Sequence, residues 1–215
     1  LVWLDRAIVK NDDGSTTVML VPKSAKQVKA SPQREAWVAS DQVALDALLH
    51  APNNTLVEET EPAELGVPVA PAVTVRVLEL DKATGKLTAT SYKSRHAFDA
   101  ARWGPMMDAR GLPHFEKTSS TVADDLLFKM NCSDAAARDR DITKMDVSNA
   151  YTKGERKRAA TYMHTPATLP IFNAAGVRMV IEFNGTPVWG EPPAGAEWQA
   201  TRQRGLIEDG WLERK

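Results

Sequence analysis

Val73, Val75 and Val77 alternate with Thr74 and Arg76, and an apolar residue at every second position is a pattern that a helix cannot place on one face. Asp81 to Gly85 follow as a turn, and Leu87 to Arg95 return as a second run. The stretch therefore reads as an antiparallel hairpin. The rest of the chain mixes such hairpins with long helical patterns. Residues 1 to 30 read as another hairpin, with a strand from Val2 to Val9, an Asn-Asp-Asp-Gly turn at 11 to 14, and a second run from Thr17 to Val21.

Ser31 and Pro32 open a helix that carries Trp37, Val38, Leu45, Leu48 and Leu49 on one side and stops at Pro52. Glu58 to Pro71, rich in Pro and Glu, reads as a surface connection. Residues 121 to 139 read as a helix capped by Thr121, with Val122, Ala123, Leu126, Leu127 and Met130 on its apolar face and Cys132 as a small core residue. Val177 to Phe183 read as a strand, Asn184-Gly185 as a tight turn and Thr186 to Trp189 as the returning strand. A last helix runs from about Ala194 to Glu208 and ends near Gly210. The expected class is α+β.

Composition narrows the function classes. The 215 residues are 43% hydrophobic with a formal net charge of -1, so the chain can bury a substantial core and is no dedicated nucleic-acid coat. Enzymes that hold nucleic acid in a groove concentrate basic residues on one face and stay compatible with that balance. One cysteine excludes an internal disulfide, and His50, His96, His114 and His164 are scattered without zinc-site spacing. No apolar run is long enough to span a bilayer and no basic-then-apolar leader is present, so the expectation is an intracellular protein. The start at Leu1 without methionine reads as a processed product or part of something longer.

The segment Lys144-Met-Asp-Val-Ser-Asn-Ala-Tyr-Thr-Lys-Gly154 sets Asp146 directly after an apolar residue and five positions before Tyr151. It resembles the first catalytic motif of reverse transcriptases, in the copia-type retrotransposon version. Further matches stand in the family's order. Glu35-Ala-Trp37, Asp46-Ala-Leu-Leu49 and Asn53-Asn-Thr-Leu-Val57 are similar to its opening helix and Asn-Gly-Thr-Trp-Glu-Leu-Val strand. Tyr92-Lys-Ser-Arg95 resembles its Tyr-Lys-Ala-Arg, and Gly111 to Ala123 its run of Gly, aromatic, Glu, Thr, Ser and Val-Ala. Thr161-Tyr-Met-His-Thr-Pro166 resembles Tyr-Met-x-x-Pro. Thr186-Pro-Val-Trp-Gly190, with Ala194 and Trp198, resembles Leu-Tyr-Gly-Leu-Lys-Gln-Ala-Pro-x-x-Trp. The matches span roughly residues 31 to 213.

The resemblance implies the fingers and the first part of the palm of a right-hand polymerase: an extension over 1–30, a fingers-like region over 31–141 and a partial palm over 142–215. Nucleotidyl transfer of this kind uses two divalent cations, so carboxylates must project from a stiff strand. Asp146 would be a metal ligand and catalytic residue, the Val147 carbonyl would complete the shell, and Tyr151 would lie under the incoming sugar. Lys93, Arg95 and Arg102 would contact the triphosphate. Lys153, Arg156, Lys157 and Arg158 form a basic loop that could touch nucleic acid. The implied cofactor is Mg2+ or Mn2+ in the complete polymerase, and this fragment could hold none. The implied partners are an RNA or DNA template-primer, a deoxynucleoside triphosphate, and the remaining polymerase half or another protein.

Three departures bear on activity. The family's second motif, an aromatic followed closely by Asp-Asp, does not occur, since Asp12-Asp13 and Asp124-Asp125 both precede Asp146. Pro193 falls near the Gln that the family sets beside the template-primer and incoming nucleotide, and proline offers neither an amide side chain nor a backbone donor. The 153–158 loop is basic where the family is usually acidic. Two functions follow as expectations: part of an RNA-directed DNA polymerase, itself inactive, or a retroelement fragment recruited as a binding or structural subunit.

Overall fold

The computed structural model describes residues 6–88, 90–99, 125–139, 153–156, 159–191 and 194–210. Their elements are mixed helix and strand, consistent with α+β. Strands β1 (Arg6–Lys10) and β2 (Thr16–Leu20) form the expected antiparallel hairpin, with Val9 and Met19 buried; the expected strand's Val2 to Asp5 lie outside the described residues. Helix α1 (Ala25–Ala30) follows. Its start is a capping box: Ser24 Oγ accepts from the Gln27 backbone N–H and Gln27 Oε1 accepts from that of Ser24. That signal, Ser24 three residues before Gln27, is readable in the sequence.

Helix α2 (Arg34–Leu49) buries Trp37, Asp41, Leu45 and Leu48, one stripe at helical spacing. Strand β3 (Asn54–Glu58) begins after a turn in which Asn53 has φ of 60°. The next stretch is not a plain surface connection. It holds α3 (Thr60–Glu64), with Pro62 buried, and β4 (Val69–Ala70). Strands β5 (Ala72–Leu78) and β6 (Tyr92–Phe98) form the expected antiparallel hairpin, with the returning strand later in the chain than the expected Leu87 to Arg95.

Helix α4 (Asp125–Ala137) agrees with the helix expected there. Met130 is exposed, so it does not serve the apolar face assigned to it, and Cys132 is half-buried. Strands β7 (Thr161–His164) and β8 (Met179–Phe183) complete a four-stranded sheet in the order β3-β8-β7-β4, antiparallel except for the parallel pair β4 and β7. Helix α5 (Ala194–Glu208) has the expected bounds. Thr186 to Trp189 do not form a returning strand. Both edges of β8 are already occupied by β3 and β7, and the chain instead runs across to β6, where Phe98 N–H donates to the Trp189 carbonyl at 2.6 Å.

One core joins these parts. Leu45 and Leu48 of α2, Ala70, Phe98 at the end of β6, Met163, Ile181, Phe183 and Val188 pack together. Each fully buried side chain of this size contributes about 1.5 to 3 kcal/mol, so this cluster, drawn from both halves of the sequence, holds the long hairpin to the four-stranded sheet. Trp37 adds an edge-to-face contact with Tyr92 at 4.9 Å between ring centroids.

Candidate functional site

The β5–β6 hairpin is braced from behind by charge. Its register pairs Thr74 with His96 and Arg76 with Ser94, which puts four polar residues on the face turned to α2. Asp41 meets them. Arg76 Nε donates to Asp41 Oδ1 at 3.1 Å and Nη2 to Oδ2 at 2.6 Å, and Thr168 Oγ1 donates to Oδ2 at 2.6 Å. Arg76 also donates to the Pro22 carbonyl at 3.4 Å. Burial pushes the Asp41 carboxyl up, but hydrogen bonds from Arg76, Ser94 and Thr168, together with the Arg76 charge, outweigh it and hold the group below the usual carboxylate range.

His96 lies between Thr74 Oγ1, 3.0 Å from Nδ1, and the Asp41 carbonyl, 2.8 Å from Nε2. A carbonyl only accepts, so Nε2 carries the proton and Nδ1 accepts from Thr74. Burial first, and the Arg76 charge second, lower the His96 pKa against the opposing pull of Asp41, so the ring stays neutral. The bare alternation rule would have turned the three valines inward. Here a compensated ion pair takes the inner face and the valines take the outer one.

The outer face carries the sequence-derived phosphate candidates. Val77 pairs with Lys93 and Val75 with Arg95, so the two cations project from the same side of β6, two residues apart. Both are exposed. Lys93 Nζ is 2.5 Å from Glu79 Oε2. The Arg95 guanidinium sits 5.2 Å from the centroid of the Trp189 ring. Among the described residues no carboxylate lies within ion-pair distance of Arg95. The ring face attracts the guanidinium charge without using its N–H donors, which suit a phosphate or carboxylate.

Trp189 had no assigned role in the sequence reading, although it lies in a matched segment. Its position is fixed by the hydrogen bond from Phe98 and by Gly190. Gly190 has φ of 82°, and a Cβ there would come within 2.2 Å of the Phe98 carbonyl oxygen, so only glycine allows this approach.

Asp146, Val147, Tyr151, Arg102, Lys157, Arg158 and Pro193 lie outside the described residues. Of the expected basic loop, Lys153 is exposed and Arg156 is not. Arg156 Nη2 donates to both carboxylate oxygens of Glu191, at 2.9 and 2.7 Å, and neither side chain has solvent exposure. Its other nitrogens reach the carbonyls of Thr186 and Ala159, each at 3.3 Å. Thr161 Oγ1 and the Val188 backbone N–H also donate to Glu191. Arg156 is therefore corrected from a surface phosphate contact to an internal clamp, because its donors are spent inside the protein. Neighbouring contacts anchor the same segment on α5: Glu155 N–H donates to Thr201 Oγ1, and Arg204 pairs with Glu155 at 2.5 Å.

Among the described residues no three His, Cys, Asp or Glu side chains group as a metal site, and no helix is long and apolar enough to cross a membrane. Compared with protein-family models, with curated proteins and with solved structures, the chain gives no match.

Proposed function

We propose that the chain is the fingers and first part of the palm of a copia-type RNA-directed DNA polymerase. The observation that carries this reading is the outer face of the β5–β6 hairpin, where Lys93 and Arg95 stand together on a stiff, braced strand. It coincides with the ordered motif matches in the sequence. In this reading Arg95 and Lys93 bind the triphosphate of an incoming nucleotide, Trp189 orients Arg95, and Asp146 belongs to the catalytic carboxylate set. Divalent cations would supply activation of the attacking hydroxyl and neutralisation of the phosphates.

The chain's own residues do not complete such a site. Asp146 is one carboxylate where a pair of cations needs several, and no aromatic-x-Asp-Asp sequence follows it. The chain by itself is therefore inactive in this proposal. Primer extension tests it directly: the 215 residues alone should give none, and the same chain joined to its downstream reading frame should give turnover that Asp146→Ala abolishes. Turnover insensitive to Asp146→Ala would sink the assignment.

The missing second motif favours one other reading, a retroelement fragment recruited as a binding or structural subunit with Asp146 and Tyr151 as relics. Native mass spectrometry of the protein from its source separates the two. A chain mass near 23.6 kDa with a stoichiometric partner supports recruitment, and a much larger chain supports the polymerase.

A further inference from the structure

The charge of this protein is segregated. Of its 27 Lys and Arg, six fall within residues 6 to 34, and of its 28 Asp and Glu only two do, so this lobe is basic and the remainder is acidic on balance. All six cations, Arg6, Lys10, Lys23, Lys26, Lys29 and Arg34, are exposed. The two acids are occupied. Asp12 pairs with Lys86 and Asp13 accepts from the Ser15 hydroxyl and backbone N–H, and these donors hold both carboxyls below their usual range. No acidic residue within the described chain forms an ion pair with Lys26, Lys29, Arg6, Lys10 or Arg34. The lobe is also fixed in place on the hairpin that carries Lys93 and Arg95, through Lys10 N–H to the Gly85 carbonyl at 3.2 Å and Arg76 to the Pro22 carbonyl.

We propose that this lobe is a docking surface for the phosphate backbone of a single-stranded nucleic acid, a role that rests on the polymerase reading for its choice of strand and extends the fingers by an added cationic platform. Charge complementarity selects an anionic partner, and the shape of α1 selects among anions. A helix that lies on an acidic membrane exposes apolar residues between its cations. The apolar Val28 of α1 is buried and its outward positions are Lys26, Gln27 and Lys29, which suits a row of phosphates. On the hairpin, Ile8 and Val18 form an exposed cross-strand pair beside Leu20, between Arg6 and Lys10; this patch would meet sugars in the proposed complex and acyl chains on a membrane, and the vesicle measurement below separates the two.

The test is fluorescence anisotropy of the whole chain with a labelled single-stranded RNA of about 20 nucleotides over a salt series, with circular dichroism confirming the fold of each variant. Each phosphate contact adds about 0.7 to the slope of log affinity against log salt for a single strand, so Lys26→Glu with Lys29→Glu should lower the slope by roughly 1.4 and weaken binding about tenfold or more at low salt. An unchanged slope and affinity in that variant would overturn the proposal, as would absence of RNA binding by the wild-type chain. Binding to vesicles of acidic phospholipid, lost on Ile8→Asn with Val18→Asn while RNA is ignored, would overturn it in favour of a membrane surface. Failure of the polymerase reading looks different: RNA binding that depends on Lys26 and Lys29, with no primer extension by the chain joined to its downstream sequence, leaves the lobe standing and removes the polymerase.

Discussion

Arg76 grips Asp41 through two hydrogen bonds in a place where the side chains of both are almost wholly removed from solvent, 2% and 0% exposed. Removing one partner strands a buried charge. Arg76→Met or Asp41→Leu should each lower unfolding free energy by about 3 to 5 kcal/mol. The double variant Asp41→Leu with Arg76→Met should recover part of that loss, since it leaves no unpaired ion but still orphans Thr168 and the Pro22 carbonyl. Urea unfolding of the four proteins checks this, and additive losses in the double variant would show that the pair does not act as a unit.

Acidification should weaken the fold in two stages. His96 and His164 have lowered pKa values in the folded protein, both first because of burial, with Arg178 adding to the effect at His164 against Glu59. A depressed histidine stabilises fully above its unfolded value near 6.5, and that contribution is lost as pH falls toward the folded value. Asp41 has a lowered carboxyl, so its contribution holds above about 4 and is lost only in more acidic solution. Thermal midpoints should therefore begin to fall as the pH drops below about 7, where the unfolded histidines take up protons, with a separate further loss below about 4 from Asp41. His96→Asn should flatten the first stage, and an unchanged first stage in His96→Asn with His164→Gln would show that these rings are not its source.

Hairpins, helices and the overall class were legible because they rest on local signals. The period-two valines, the Asp81 to Gly85 turn and the bounds of α5 needed no tertiary information. What was missed depends on distant partners. Asp41 lies four residues from both Trp37 and Leu45, and a carboxylate in a core stripe is a sign of a buried cation that could have been followed to Arg76 between the valines. Arg156 was grouped with Lys153, Lys157 and Arg158 because they are neighbours in sequence, whereas Glu191, 35 residues on, decides its fate. The strand expected at Thr186 to Trp189 followed a good turn signal, but β8 already had two partners.

Arg156 and Lys153 should consequently behave in opposite ways. Arg156→Ala leaves Glu191 buried without its cationic partner, although Thr161 and Val188 still donate to it, and should cost about 3 to 5 kcal/mol. Lys153→Ala, at an exposed position, should stay within about 0.5 kcal/mol of the parent. Any loss of nucleic-acid binding in Arg156→Ala should track unfolding. A stable Arg156→Ala protein with selectively weakened binding would contradict the internal role.

Gly190 and Gly210 offer a controlled comparison, since their φ angles are 82° and 77°. A methyl group at Gly210 meets nothing within 4 Å, so Gly210→Ala should cost only the left-handed backbone, about 1 kcal/mol. At Gly190 the same methyl group collides with the Phe98 carbonyl, so Gly190→Ala should cost about 3 kcal/mol or more. Equal losses in thermal melts would mean that the Trp189 segment moves away from β6 without penalty.

That segment also governs Arg95 if the outer face of the hairpin binds phosphate. Isothermal titration of a nucleoside triphosphate into the chain should show weaker binding for Arg95→Ala, because the charged fork is lost. Trp189→Ala keeps the charge but removes the ring face beside the guanidinium, a contact of about 0.5 to 1 kcal/mol, so binding should weaken by roughly two- to fivefold. Trp189→Phe should restore most of it, because a ring face returns. A Trp189→Ala protein that binds normally while Arg95→Ala does not would remove the positioning role and keep the phosphate contact. If neither substitution changes binding, the triphosphate does not meet this face, and the role given to Lys93 and Arg95 falls with it.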